Sequence, residues 1–352
     1  MRDKCPPSTP EHIRKLGETV EAHNGNKAEA ARILGMNRRT VSDRYQTYLH
    51  QSKDNAYTEK PFSVPPIPKE NLSTEELLAW RKKQFEQKRK YKEASRLRDV
   101  LVNIKGPIGI VHFGDPHVDD DGTDLGLIEQ HINTIKKTEG LFGANLGDAQ
   151  NAWVGRLTRL WAEQGTSASQ AWQLVEWFIT SVHWLYLVQG NHDLFCGNND
   201  PLKWIMANTN TAWDANGVRI NLKFPNRKEV RVNARHDFAG HSMWNPSHGP
   251  MKAIQGGWRD HILTCGHKHV SFIGGPLKDP SSGLLSWAIR CAGYKTYDRY
   301  AEELGLPDQN AFAACVTIIN PIYEDNDPRL ITVIPDVEQG ADFLTFLRRK
   351  FA

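Results

Sequence analysis

A chain of 352 residues and 39.9 kDa has room for one large α/β domain and a small appended module. Its hydrophobic fraction of 39% and mean hydropathy of -0.56 fit a water-soluble protein, and its longest apolar stretch, Trp177 to Val188, is too short and too interrupted to span a bilayer. The net charge of +3 hides an asymmetry, roughly +8 over residues 1–105 against roughly -5 over the rest, which points to a basic arm on a separate domain.

The N-terminal MRDKCPPSTPEH has no apolar core of a secretory signal. Five cysteines (Cys5, Cys196, Cys265, Cys291 and Cys315) are scattered without C-x-x-C spacing, as expected of reduced thiols in a cytoplasmic protein. No membrane partner is expected.

Residues 1–50 predict a helical module. Helices are expected from about Glu11 to His23, from Lys27 to Leu34 and from Arg38 to Leu49, with turns at Asn24-Gly25-Asn26 and Gly35-Met36-Asn37. Ala28, Ala30 and Ala31 permit close helix packing, Leu34 and Val41 fill a small core, and Asn37 can cap the third helix. The stretch NKAEAARILGMNRRTVSDRYQTYL resembles the helix-turn-helix of the factor-for-inversion-stimulation type. That resemblance implies DNA as a partner, with Arg38, Arg39, Thr40 and Arg44 facing the groove or its phosphates. A single module of this kind binds weakly, so a homodimer or a second DNA contact is expected.

Residues 51–105 read as a Pro-rich spacer, PFSVPPIPKENLS, followed by a charged helix. Ser73 and Glu76 have capping-box spacing, and the helix is expected to run to about Val102 as a connector. Residues 106–352 form the third region. Short runs rich in Ile, Val and Leu (IGIVHF, LFGANL, WLYLV, EVRVNA, HILTC, LSWAIRCA, ACVTII and LITVI) predict strands. Helical stretches at Leu125–Lys137 and Gln170–Val182 separate the early ones. The later connections are shorter, which argues for antiparallel strands and a layered α/β core of two sheets. The tryptophans from Trp153 to Trp184 could offer a base-stacking surface or, at helical spacing, fill core, and core is preferred. A C-terminal helix is expected over about Gln339–Phe351.

The chemistry lies in the few residues just beyond each strand. Gly114-Asp115-Pro116-His117 comes after the first and Gly147-Asp148 after the second. Gly190-Asn191-His192-Asp193 comes after the third, His236 after the fourth, and Gly266-His267-Lys268-His269 after the fifth. Each of these motifs is weak alone. Five metal-capable groups at successive strand ends are not, because α/β sheets assemble sites beyond the carboxyl ends of their strands. Carboxylate, imidazole and amide oxygen together suit Mn, Fe or Zn better than a soft thiolate-seeking ion.

The ordered set D-x-H, G-D, G-N-H-D, H and G-H-x-H resembles the calcineurin-like metallophosphoesterase superfamily over residues 106–335. The resemblance implies a two-sheet metallophosphoesterase fold holding two divalent ions, manganese before iron or zinc. Asp115, His117 and His269 would hold one ion, Asn191, His236 and His267 the other, and Asp148 would bridge them. His236 is preferred to His241 because it stands nearest its strand end. His192 would protonate the leaving group, and Asp193 would orient its loop or cap the next turn. Ser/Thr protein phosphatases carry G-D-x-x-D-R-G and GNHE. Here the motifs read Gly147-Asp148-Ala149-Gln150-Asn151-Ala152 and GNHD, with Asn151 in place of the aspartate that pairs with the catalytic histidine. A protein phosphatase is therefore disfavoured.

The combination implies a metal-dependent nuclease or DNA-directed phosphodiesterase, an arrangement similar to metallophosphoesterases encoded by phages. Two alternatives remain open. One is a small-nucleotide or cyclic-nucleotide phosphodiesterase or phosphatase located on DNA by its helix-turn-helix. The other is a DNA-binding regulator with an idle phosphoesterase domain.

Overall fold

The computed structural model describes residues 8–58, 72–153, 158–195, 201–242, 244–303, 305 and 308–351. Most of the Pro-rich spacer, Cys5 and Cys196 lie outside the described residues. The chain divides into two compact units between Lys83 and Gln84.

The first unit opens with α1 (Pro10–Ala22), α2 (Lys27–Ile33) and α3 (Arg38–Thr58). Asn26 caps α2 by accepting from the Ala28 and Glu29 amides at 3.2 Å, and Asn37 accepts from the Arg39 amide at 2.8 Å. Leu16, Val20, Ala30, Ala31 and Val41 make the core, with Leu34 packed against it. Ala28 faces solvent instead of the packing seam. The close approach comes from Gly17, where a Cβ would lie 2.1 Å from the Tyr48 ring. α3 runs nine residues past the expected end at Leu49, because no glycine or proline occurs before Pro61.

α4 (Thr74–Ser95) starts from the expected capping box, with Ser73 and Glu76 exchanging bonds at 2.9 and 3.2 Å. It ends sooner than expected. Residues 98–101 are a strand, β1 (Arg98–Leu101), so the large domain begins before residue 106. Arg98 fixes the turn out of the helix by donating to the Trp213 carbonyl at 2.8 Å and to the Tyr91 hydroxyl at 3.2 Å.

The second unit contains two six-stranded sheets. One comprises β2 (Ile108–Phe113), β3 (Leu141–Asn145), β4 (Trp184–Gln189) and β5 (Ala212–Ala215), all parallel, extended beyond β2 by antiparallel β11 (Ala314–Ile319) and β12 (Ile331–Ile334). The other has the order β1, β6 (Gly217–Lys223), β7 (Glu229–Arg235), β8 (Ile262–Cys265), β10 (Leu285–Arg290) and β9 (Phe272–Lys278). β6/β7 and β9/β10 are antiparallel, as the short connections suggested. β7, β8 and β10 are parallel, contrary to that expectation. β9 intervenes between β8 and β10, and α10 (His248–Gln255) lies between β7 and β8, so each chain return restores direction.

Two cores arise from strand alternation. Ile108 and Ile110 of β2 face the space between the sheets with Ala144, Tyr186, Ile220, Val232 and Ile289. Val111 and Phe113 face the other way, onto α5 (Leu125–Lys137), α7 (Ala168–Thr180) and α12 (Val337–Arg349). Trp184 lies in that core with Trp172 and Trp177 against it, as their spacing predicts. The short helices α6 (Thr158–Glu163), α8 (Asn191–Leu194), α9 (Pro201–Ala207) and α11 (Arg299–Glu303) lie in connections. No helix among the described residues is long and apolar enough to cross a membrane.

His112 takes the intersheet face of β2 and is fully buried. Nδ1 lies 2.5 Å from the Tyr186 hydroxyl and Nε2 2.8 Å from Thr317 Oγ1. Burial drives its pKa down from 6.5 to about 3. Its stabilising effect is therefore complete above about pH 6.5 and declines as pH falls toward 3, because only the unfolded chain takes up the proton. By pH 5 the loss amounts to about 2 kcal/mol. Denaturant titrations at pH 7 and pH 5 are expected to show His112→Gln losing about 2 kcal/mol less than the parent on acidification. Equal losses would mean that the buried ring accepts the proton.

Candidate metal centre

Five loops leave the carboxyl ends of β2, β3, β4, β7 and β8 and meet between the two sheets. The first two are joined along their main chains: His117 and Val118 donate to the carbonyls of Asp148 and Ala149 at 3.0 and 2.9 Å. Glycine is required where the loops press together. A Cβ on Gly190 would sit 2.1 Å from Asp148 Oδ1, and one on Gly266 would sit 2.5 Å from Asp115 Oδ1.

The structure brings all seven proposed ligand residues to this point. Asp148, His236 and His267 each offer a ligand atom within 4.8 Å of the others, the one such cluster among the described residues. Asn191 joins it, its Oδ1 lying 2.8 Å from His236 Nε2, while Asp148 Oδ2 is 3.1 Å from the same nitrogen. Asp115, His117 and His269 stand beside it in a wider arrangement. His269 Nε2 is 3.5 Å from Asp115 Oδ2, and the His117 and His269 rings are 5.4 Å apart. His241, the alternative to His236, is exposed.

The electrostatics are those of buried carboxylates that nearby positive groups only partly answer. Burial raises the Asp115 carboxyl to about 6. Burial alone would lower His236, but the Asp148 and Asp115 carboxylates outweigh it and hold the ring up at about 10. His117 is pushed well below its usual value by burial and then by the charge of Lys295. Both Asp115 oxygens and His117 Nδ1 are buried without a hydrogen-bond partner. Orphaned lone pairs of this kind are costly unless a cation or a water takes them. The donor set of imidazole, carboxylate and amide oxygen fits a divalent transition ion.

His192 lies at the edge of this cluster. Its amide donates to Asp148 Oδ1 at 2.9 Å, and its Nδ1 donates to the Asn151 carbonyl at 2.5 Å. A carbonyl can only accept, so Nδ1 carries a proton and Nε2 is the nitrogen left for a substrate. Asn151 therefore reaches His192 through its main chain, not through the side chain that stands in for the phosphatases' aspartate. That side chain donates instead to Asp120 Oδ2 at 2.8 Å. Asp193 is fully buried and accepts from the Ala149 amide at 3.0 Å and the Gly190 amide at 2.9 Å, tying two ligand-bearing loops together.

Sequence reasoning missed two buried cations here. Arg290, at the end of β10, donates to the Gly266 carbonyl, to Asp237 at 2.8 Å and to the Pro246 carbonyl at 2.9 Å, and so anchors the loops of His236 and His267. Lys295 pairs with Asp120 and Asp298. Against burial, which would raise it, a bond from His269 and the charge of Lys295 draw the Asp298 carboxyl down to about 2. Their one signal in the sequence was a cation inside or just after an apolar strand run. In the first unit, Arg38 and Arg39 are exposed at the start of α3, while Thr40 and Arg44 are half-buried.

These observations define a layered two-sheet α/β domain with a cluster of side chains at its strand ends that could hold a metal ion, joined to a trihelical module. Residues 14–48 match the family described as bacterial regulatory protein, Fis family. Among solved structures, the chain is similar to the calcineurin-like phosphoesterase YfkN from Bacillus subtilis, with a TM-score of 0.36 and 10% identity, over 70% of this chain and 100% of that one. It is similar to a predicted phosphoesterase from Streptococcus pneumoniae TIGR4, with a TM-score of 0.30 and 11% identity, over 66% of this chain and 100% of that one. It is similar also to the NAD nucleotidase NadN of Haemophilus influenzae, with a TM-score of 0.33 and 11% identity, over 65% of this chain and 49% of that one. No curated protein matches the sequence.

Removing the Asp193 carboxylate leaves two buried amides unpaired. Asp193→Ala is expected to lower unfolding free energy by about 3 kcal/mol in chelator-containing buffer, measured by urea titration. A loss below about 1 kcal/mol would show that the two loops hold each other without it.

Proposed function

We propose that the chain is a metal-dependent phosphodiesterase acting on DNA that its helix-turn-helix holds. One observation carries this: side chains from five strand ends converge on a buried point where Asp115 and His117 keep unpartnered lone pairs. Asp115, His117 and His269 would hold one ion, and Asn191, His236 and His267 a second, with Asp148 between them. Manganese suits the mixed oxygen and nitrogen donors, with iron and zinc as alternatives. When bound, such ions supply charge to neutralise a phosphoryl group and to acidify a water.

The chain's own residues do the rest. His192, held by the Asn151 carbonyl, presents Nε2 to the leaving oxygen; the doubly protonated ring gives that oxygen its Nε2 proton as the P–O bond breaks and is left neutral with the proton on Nδ1. Trp153 packs edge-on against that ring at 5.1 Å and restricts its rotation. Asp193 keeps the loops of Asp148 and Asn191 at a fixed separation. The Fis-family match and the exposed Arg38 and Arg39 at the head of α3 support DNA as the substrate-bearing polymer. A helix N-terminus carrying two arginines suits phosphate and base edges alike.

The test is Mn-dependent hydrolysis of linear single- and double-stranded DNA beside bis-p-nitrophenyl phosphate. Asp148→Ala is expected to abolish turnover, and His192→Ala to slow DNA cleavage by about 100-fold or more. Arg38→Ala/Arg39→Ala is expected to weaken DNA binding and flatten its log–log salt dependence by about 2. Turnover of the small diester alone would leave a phosphodiesterase that is merely located on DNA. Bound metal without turnover of any ester would leave a regulator with an idle domain.

A further inference from the structure

Lys295 is an unusual residue to find beneath such a site. Its side chain is 4% exposed, so it cannot reach a substrate, and a buried ammonium is retained only where fixed partners compensate it. Its main chain is already secured, because Tyr294 and Thr296 donate to the carbonyls of Asp115 and Gly122. The side chain is therefore not needed to hold the segment in place.

Its partners lead in two directions. Nζ lies 3.7 Å from Asp298 Oδ1, and the other oxygen of Asp298 is 3.3 Å from His269 Nδ1, which leaves His269 Nε2 turned toward Asp115 at 3.5 Å. Nζ also lies 3.1 Å from Asp120 Oδ2, the atom that accepts from the Asn151 side chain, and the Asn151 carbonyl holds His192. A third contact runs the same way. Nζ sits 5.2 Å from the centre of the Trp153 ring, and that ring packs on His192. One ammonium is thus the common root of two branches, one ending on a proposed ligand and the other on the proposed general acid.

We propose that Lys295 is a positioning residue that sets His269 for cation binding and His192 for proton donation, through Asp298 and Asp120 respectively. This rests on the phosphodiesterase reading above for its catalytic half, but not for its cation-binding half. Without the ammonium, Asp120 and Asp298 lose the cation they share, and both branches lose their origin. The arrangement also separates the branches chemically. Orientation of His269 affects how tightly a cation is held. Orientation of His192 affects how well a poor leaving group departs, since p-nitrophenolate leaves without a proton and a nucleoside alkoxide does not.

The test compares Lys295→Met, Lys295→Arg, Asp298→Asn and Asp120→Asn in the full chain. Mn²⁺ affinity is read by electron paramagnetic resonance of the free ion, and kcat is measured on bis-p-nitrophenyl phosphate and on a dinucleoside monophosphate at saturating Mn²⁺. Lys295→Met is expected to weaken Mn²⁺ binding by about 10- to 100-fold. It is also expected to slow the dinucleoside substrate about 10-fold more than the aryl ester. Lys295→Arg restores most of both losses. Asp298→Asn reproduces the weakened Mn²⁺ binding, and Asp120→Asn reproduces the bias between leaving groups. Should Lys295→Met fail to fold, the two aspartate variants and the arginine variant carry the test. Unchanged Mn²⁺ affinity with an unchanged substrate ratio overturns the proposal, as does a uniform loss that arginine does not repair. A parent protein that hydrolyses neither substrate refutes the phosphodiesterase reading, while Mn²⁺ affinity in the variants still decides whether Lys295 acts through His269.

Discussion

The site depends on backbone that side-chain-bearing residues normally avoid. His117, Asp148, His267 and His269 all have positive φ, at 39°, 51°, 70° and 49°. In that region Cβ crowds the neighbouring carbonyl, at a cost on the order of 1 kcal/mol for each residue. Four such residues among the seven proposed ligands form a concentration of strain, which persists only where surrounding structure determines the geometry. The determining structure is visible. Asp148 is clasped by the His117 amide at its carbonyl and by the His192 amide at its carboxylate, and Gly190 lies against it where no larger residue fits. The turns are forced because each strand must deliver its side chain inward at once, before the chain reaches solvent.

A second constraint is charge. Asp115, Asp148 and Asp193 are all buried within this small volume, and isolated carboxylates there would be expensive. Histidines answer some of that charge, and Arg290 and Lys295 answer more from underneath, each engaging main-chain carbonyls or acids on the loops that bear the ligands. Neither cation is aimed at a substrate. Both turn flexible loops into a frame, and they do so from the same chain segment, the end of β10 and the turn after it.

Legibility in the sequence depended on what each part asks of its residues. The five ligand motifs could be read in order because the chemistry admits few residue types and each stands directly after a strand. Main-chain roles could not be read. Asn151 was singled out for its side chain, yet it is its carbonyl that touches His192, and a carbonyl has no residue-type signature. Among the strands, β6 alternates cleanly, with Val218, Ile220 and Leu222 inward and Arg219, Asn221 and Lys223 on the other face, but a search for unbroken apolar runs passes over it. β9 was hidden by Gly274-Gly275-Pro276, which reads as a turn, and β1 by the charged helix before it. The helix-turn-helix was the most transparent part, since its asparagine caps and Gly35 mark the starts of α2 and α3 and the turn between them, although no local signal marks where α3 ends.

The donors come from both layers. Asp115, His117, Asp148 and Asn191 leave the sheet built on β2, β3 and β4, whereas His236, His267 and His269 leave the sheet built on β7 and β8. A cation shared by Asp148, His236 and His267 would therefore fasten one layer of the sandwich to the other, beside the crossing at Asn216 where β5 runs into β6. Occupancy would then contribute to folding through mass action, growing with the logarithm of the free ion concentration. On that view the supply of free ion would set how firmly the two layers hold together, and its depletion would open the seam between them to proteolysis.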